Sequence, residues 1–183
     1  RTTSGRGRVA RLDSEQFARL DAGVRHHRAF TAEPAPTLVA ALELCTALGL
    51  WANVEIKPPV GQEPGTGRIV ARQVAALPGQ WLLSSFAPEA LAAAAIEAPH
   101  VPRAVLVERI PGDWRERMAA SGARALHASA RTVTAAGIRA VRDAGFPLAC
   151  YTVNRRDDAE HLFALGVSAV FTDRPDLWAA AEM

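Results

Sequence analysis

The chain has 183 residues, 49% of them hydrophobic, which is enough to bury a substantial core in one domain. A net charge of +2, with no basic stripe interleaved with aromatics, argues against a nucleic-acid partner, and no apolar run is long enough to span a membrane. Cys45 and Cys150 each lie inside an apolar-periodic segment and read as buried small hydrophobes, without disulfide or metal spacing.

Residues 1–36 read as a loop, a short helix around Ser14–Leu20 and a second loop. They open at Arg1 within polar, glycine-bearing sequence, as a fragment or a processed product would. Thr37 then caps a helix over "TLVAALELCTALGL", where Leu38, Leu42, Cys45 and Leu48 recur at helical spacing until Gly49 ends it. A strand follows at Ala52–Lys57. The glycine-rich "PPVGQEPGTG" reads as a loop into a helix around Arg68–Leu77. "QWLLSSF" is a strand, and Pro88 opens the helix "PEALAAAAIEA" at a first-turn position.

The alternation goes on with "RAVLVE" as strand, "DWRERMAAS" as helix and "ARALH" as strand. "TVTAAGIRAVRDA" is helix, "PLACYTVN" strand, "RDDAEHLFAL" helix and "VSAVFTD" the last strand, before a helix opening at Pro175. Strand starts recur every ~20–30 residues, the length of one strand-plus-helix unit, so the chain is α/β with a parallel sheet. Six strands suit either a complete doubly wound open sheet or an eight-stranded barrel lacking two units.

The strand "WANVEIK" separates these architectures. Asn53, Glu55 and Lys57 alternate with Ala52, Val54 and Ile56, so one face is polar throughout. An open sheet covered by helices on both faces would bury that polar face without partners, at several kcal/mol per group. A barrel gives it an interior that opens at the C-terminal ends of the strands. Lys57 is also the only lysine among 21 basic side chains. A compact ammonium kept at one position suits an anion beside a carboxylate, although an ordinary strand-end ion pair uses the same residues.

"NVEIKP", "LLSSF", "CYTVN" and "VFTDRPD", in this order and spacing, resemble the glycerophosphodiester phosphodiesterases, as do "RTTSGRGRV", "LDAG" and "AEPAPTL" upstream. The chain resembles in particular the short bacterial cytosolic members, which implies a cytoplasmic setting. The resemblance implies a (β/α)8 TIM-type barrel, here incomplete, to which the chain supplies strands three to eight. Residues 1–36 would be a small insertion after strand two, and 37–183 about six βα units. It implies Glu55 as a metal-binding carboxylate and Lys57 as the catalytic, phosphate-contacting cation. The family's His-Arg pair, its Glu and Asp ligands and a second histidine would lie before Arg1.

The implied reaction is hydrolysis of a small-molecule glycerophosphodiester to glycerol 3-phosphate and an alcohol, with Mg²⁺ or Ca²⁺ as cofactor. Hard carboxylate oxygens hold such an ion, an ammonium adds charge stabilisation, and a histidine usually handles the leaving alcohol's proton. Four further residues are candidates to line the pocket: Ser85, His127 at the end of "ARALH", and Tyr151 and Asn154 of "CYTVN". His26 and His27 read as insertion-loop residues, His100 and His161 as structural, and Asp173 as a loop and cap residue. The alternative function is a catalytically inactive fragment or phosphate-binding remnant.

Overall fold

The computed structural model describes residues 2–178. The chain forms two compact units, Arg1–Leu50 and Trp51–Met183. In the first, helix α1 (Ser14–Ala18) starts at Asp13, whose side chain accepts from the Gln16 N–H while Gln16 reciprocates toward the Asp13 N–H. The loop after it winds around Asp21, whose carboxylate accepts from the N–H groups of Gly23, Val24 and Ala32. These bonds hold its pKa below the ordinary aspartate value, the Ala32 bond contributing most. His26 and His27 lie in this loop, exposed, and His27 Nδ1 accepts from the Ala29 N–H. Helix α2 (Leu38–Ala47) is capped by Thr37, as read from the sequence. Of its apolar stripe only Leu42 is buried. Cys45 is half-buried and Leu48 exposed, so the expectation of a buried Cys45 is corrected.

The second unit alternates without exception: β1 (Ala52–Glu55), α3 (Glu63–Ala75), β2 (Trp81–Ser85), α4 (Pro88–Glu97), β3 (Arg103–Val107), α5 (Trp114–Ser121), β4 (Ala125–Ser129), α6 (Ala135–Asp143), β5 (Leu148–Tyr151), α7 (Arg156–Leu165) and β6 (Ala169–Val170). Each strand pairs in parallel with the next, giving the order β1-β2-β3-β4-β5-β6. Parallel strands carry their same-face residues in register, so one row runs Glu55, Ser84, Ala104, Ala125 and the next Leu106, His127, Ala149, Ala169. The opposite face presents Val105, Val107, Leu126, Ala128, Leu148 and Cys150 to a core completed by Leu91, Trp114, Met118, Ile138, Val141 and Leu162 from the helices. Residues of β1, β5 and the turn after β6 line one shared cavity, so the sheet curls as in an α/β barrel.

Helix α3 begins five residues earlier than the sequence reading placed it. Pro64 occupies its first turn, where its missing N–H costs nothing, and the helix therefore absorbs the second half of the glycine-rich stretch. Gly67 lies where a side chain would collide with the Ala90 carbonyl, so this glycine lets α3 and α4 approach closely. The residues after Pro175 form a 3-10 turn, Pro175–Leu177, and any longer helix there lies outside the described residues. Among the described residues no helix is long and apolar enough to cross a membrane.

Arg103 sits at the N-terminal end of β3 and is 7% exposed. Its guanidinium donates to the carbonyls of Ala98, Val101, Ser121 and Gly122, so one cation closes the C-terminal ends of both α4 and α5. Gly122 adopts the left-handed conformation that ends α5 and leaves space for that guanidinium.

Candidate active site

The concave face of the sheet opens into a cavity of about 330 Å³ lined by Asn53, Glu55, Lys57, Phe86, Leu106, His127, Tyr151, Thr152 and Phe171. Glu55 and Lys57 share it because they are two residues apart on one extended segment, the alternation read from "NVEIK". Lys57 Nζ lies 3.3 Å from Glu55 Oε2, with the lysine side chain 76% exposed and the carboxylate 28%. The ion pair thus sits at the mouth, its acid turned inward and its base toward solvent. A larger cavity of about 690 Å³ lies at the other end of the sheet, between the segments entering β1, β2 and β3. It holds no carboxylate, amine or guanidinium, and His100 is its sole titratable lining residue. The chemistry-bearing side chains converge in the smaller cavity.

The rest of the lining is set by strand parity. Tyr151 ends β5, and its hydroxyl donates to the Val107 carbonyl at 2.8 Å. Burial raises the phenol to about 12, with smaller contributions from the charges of Glu108 and Glu55. Its ring meets Phe86 edge-on at 6.1 Å between centroids. Tyr151 is therefore a fixed wall rather than a proton donor at neutral pH.

His127 is 3% exposed and meets Phe171 edge-on at 5.0 Å between centroids. Burial alone depresses its pKa to about 4, so the imidazole is neutral at physiological pH. It stands in the middle of β4, not at a strand end as the sequence reading had it, because the strand continues to Ser129 rather than ending at His127.

Two candidates fall outside the lining. Ser85 pairs with Val105, on the face turned toward the helices, and its hydroxyl donates to the Ile56 carbonyl and accepts from the Ala87 N–H. Its neighbour Ser84, in register with Glu55, holds the concave position instead. Asn154 is exposed and braces the turn after β6, with Oδ1 accepting from the Asp173 N–H and the Thr172 hydroxyl and Nδ2 donating to Asp173 Oδ2. That bond also gives Asp173 the loop role expected of it. Phe86, Leu106, Thr152 and Phe171 are lining residues that the sequence reading did not single out. Phe86 was within reach of parity, since it lies two residues beyond Ser84 on the same face.

The family description for glycerophosphoryl diester phosphodiesterases matches residues 1–177. The chain belongs to that family. Its relatives include a glycerophosphodiester phosphodiesterase of Caldanaerobacter subterraneus, 27% identical over 96% of this chain and 73% of the relative. Another, from Bacillus subtilis, is 30% identical over 97% of this chain and 67% of the relative. Among solved structures, an Oleispira antarctica phosphodiesterase in complex with the product sn-glycerol 3-phosphate superposes with a TM-score of 0.92 at 30% identity, covering 99% of this chain and 74% of that one. The family's enzymes are phosphoric diester hydrolases, and the mouth of the curled sheet is where such a fold carries its chemistry.

A divalent ion needs several oxygen ligands. Among the described residues no group of three His, Cys, Asp or Glu side chains could enclose one. In the cavity Glu55 is the single carboxylate. The side chains present here do not by themselves compose a complete Mg²⁺ or Ca²⁺ site.

Proposed function

We propose that the protein hydrolyses glycerophosphodiesters to glycerol 3-phosphate and an alcohol, and that Glu55 and Lys57 act on the phosphoryl group. The observation that carries this reading is the placement of that acid and that amine, 3.3 Å apart, at the mouth of an aromatic-walled cavity in a member of this family. The product-bound relative supports it. In the reaction a water oxygen bonds to phosphorus, the bond from phosphorus to the alcohol oxygen breaks, and the alcohol leaves with a proton.

Lys57 places a compact positive charge where the phosphoryl oxygens gather charge in the transition state. Phe86 and Tyr151, packed edge-on, supply an apolar wall on one side of the cavity. The proton-transfer role falls to neither His127 nor Tyr151, whose pKa values of about 4 and about 12 lie far from neutrality on either side. Glu55 is proposed as one carboxylate ligand of Mg²⁺ or Ca²⁺, an ion that would neutralise phosphoryl charge. The proposed cytoplasmic setting rests on the resemblance to the short bacterial members alone.

The test is release of glycerol 3-phosphate from glycerophosphocholine, followed by phosphorus NMR in the presence of Mg²⁺ or Ca²⁺. Turnover that falls less than tenfold on Glu55→Ala would count against the role given to that carboxylate. The second reading, a phosphate binder without turnover, is favoured by the single carboxylate in the cavity. Tight binding of glycerol 3-phosphate with no cleavage of any glycerophosphodiester would select it.

A further inference from the structure

The net charge of +2 is unevenly shared between the two units. Arg1–Leu50 carries seven arginines against five acidic side chains, whereas Trp51–Met183 balances fourteen basic against fourteen acidic ones. Three arginines of the first unit also lack the usual neutralising partner. Arg19, Arg72, Arg117, Arg142, Arg156 and Arg174 each lie 2.5–3.2 Å from a carboxylate oxygen. Arg6, Arg8 and Arg11 are exposed and form no such pair among the described residues.

These three side chains line, with Gly7 and Leu12, one cavity of about 470 Å³ that holds no carboxylate. Arg8 precedes and Arg11 ends a 3-10 turn, Val9–Arg11, in which residues three apart eclipse one another and so share a side. Like charges gathered without a counter-ion repel, and an anion among them relieves that repulsion. Leu12 also belongs to an adjoining crevice of about 460 Å³, whose lining includes Val9, Phe17, Ala18, Pro34 and Ala40, with Asp13 as its one charged side chain. Val9 lies between two of the arginines in sequence and is 67% exposed. The face is cationic on one side and aliphatic on the other.

A partner for this face must present anionic groups beside apolar ones. A single nucleic-acid strand needs ring faces on which to stack, and no aromatic side chain lines the basic cavity. A second copy of the chain, meeting this face across a two-fold axis, would set these arginines against themselves. A bilayer containing anionic lipids supplies both halves, phosphates at its surface and an acyl boundary just beneath. We infer that residues 6–12 are a docking surface for an anionic phospholipid bilayer, with Arg6, Arg8 and Arg11 on the lipid phosphates and Val9 in the acyl boundary beside them. The inference concerns the first unit alone and does not depend on the reaction proposed above.

The experiment is co-sedimentation of the full chain with vesicles of phosphatidylcholine alone, and with vesicles containing about 30% phosphatidylglycerol, which gives them a negative surface. The anionic vesicles are expected to bind the protein at least about tenfold more tightly, and raising salt from about 0.1 M to about 0.5 M should remove most of that difference. Arg6→Gln, Arg8→Gln and Arg11→Gln should each weaken partitioning about fivefold, and the triple variant should bind both kinds of vesicle alike. Val9→Ser should weaken it about threefold, because less apolar surface enters the bilayer. All four side chains are exposed, so these variants leave the packing of the unit unchanged. Glutamine at Arg109, Arg124 and Arg139, exposed at three separate places in the second unit, removes the same charge and should leave partitioning within about twofold. An equal loss in that control would reduce the effect to net charge and overturn the inference. So would wild-type binding without preference for phosphatidylglycerol, an unaffected Val9→Ser variant, or binding to duplex DNA as tight as to the anionic vesicles.

Discussion

Replacing Arg103 with methionine tests how the N-terminal end of the sheet is closed. Methionine fills most of the arginine stem but donates no hydrogen bond. The Ala98 carbonyl would still accept from the Val101 N–H, so three carbonyls, of Val101, Ser121 and Gly122, lose the donor that the guanidinium supplies. Val101 and Ser121 are buried and Gly122 is exposed, so at about 1–2 kcal/mol for each orphaned buried acceptor the loss is about 3 kcal/mol. For a chain of this length that lowers the midpoint of thermal unfolding by roughly 10 °C. Arg103→Lys should fall between the two, because an ammonium cannot span carbonyls that a planar fork reaches together. Urea and thermal unfolding followed by circular dichroism read both variants. A methionine variant within about 1 kcal/mol of wild type would refute the clamp, as would a lysine variant as stable as the arginine.

Lys57→Arg should lower kcat/KM on glycerophosphocholine by about tenfold or more, because a guanidinium is not a compact point charge, and chelation with EDTA should abolish turnover; activity untouched by chelator would remove the divalent ion from the reaction. Burial holds folded His127 near about 4, below its ordinary 6.5, so the unfolded chain takes up a proton first as pH falls. The stability this contributes is complete above pH 6.5 and is lost toward pH 4, amounting to about 3 kcal/mol at the acid end. The urea midpoint of wild type should therefore fall relative to that of His127→Gln on acidification, and parallel profiles would disprove the burial effect. Cys150 is fully buried and its thiol is raised to about 11, so in native protein only Cys45 should react quickly with a disulfide reagent. Two fast thiols would contradict the packing of β5.

Local periodicity placed the alternating strands and helices of the second unit in their observed order. The helix over Arg156–Leu165 matches to the residue, because Gly166 ends it in the left-handed conformation and the run before it contains no breaker. Glu55 and Lys57 were legible for the same reason, since two-residue alternation puts them on one face whatever surrounds the strand. Ser85 and Asn154 were misread in two different ways. Ser85 is one residue out of parity, and only pairing with β1 decides which serine of "SS" faces inward. His127 lines the cavity as the sequence reading expected, although it stands in mid-strand because β4 runs on to Ser129. Asn154 is claimed by a turn 18 residues downstream that local sequence cannot announce.

The order of strands and helices, the polar face of β1 and the family bond all follow from the linear pattern, because spacing and turn chemistry act within a few residues. Which of those side chains meet in a cavity was decided by the curl of the sheet. Curling brings β1 and the turn after β6 to one cavity, across more than a hundred residues of chain, and buries the His127 imidazole so that it stays uncharged. Long-range pairing sets burial, and burial sets charge state; neither is a property of a residue's neighbours in sequence.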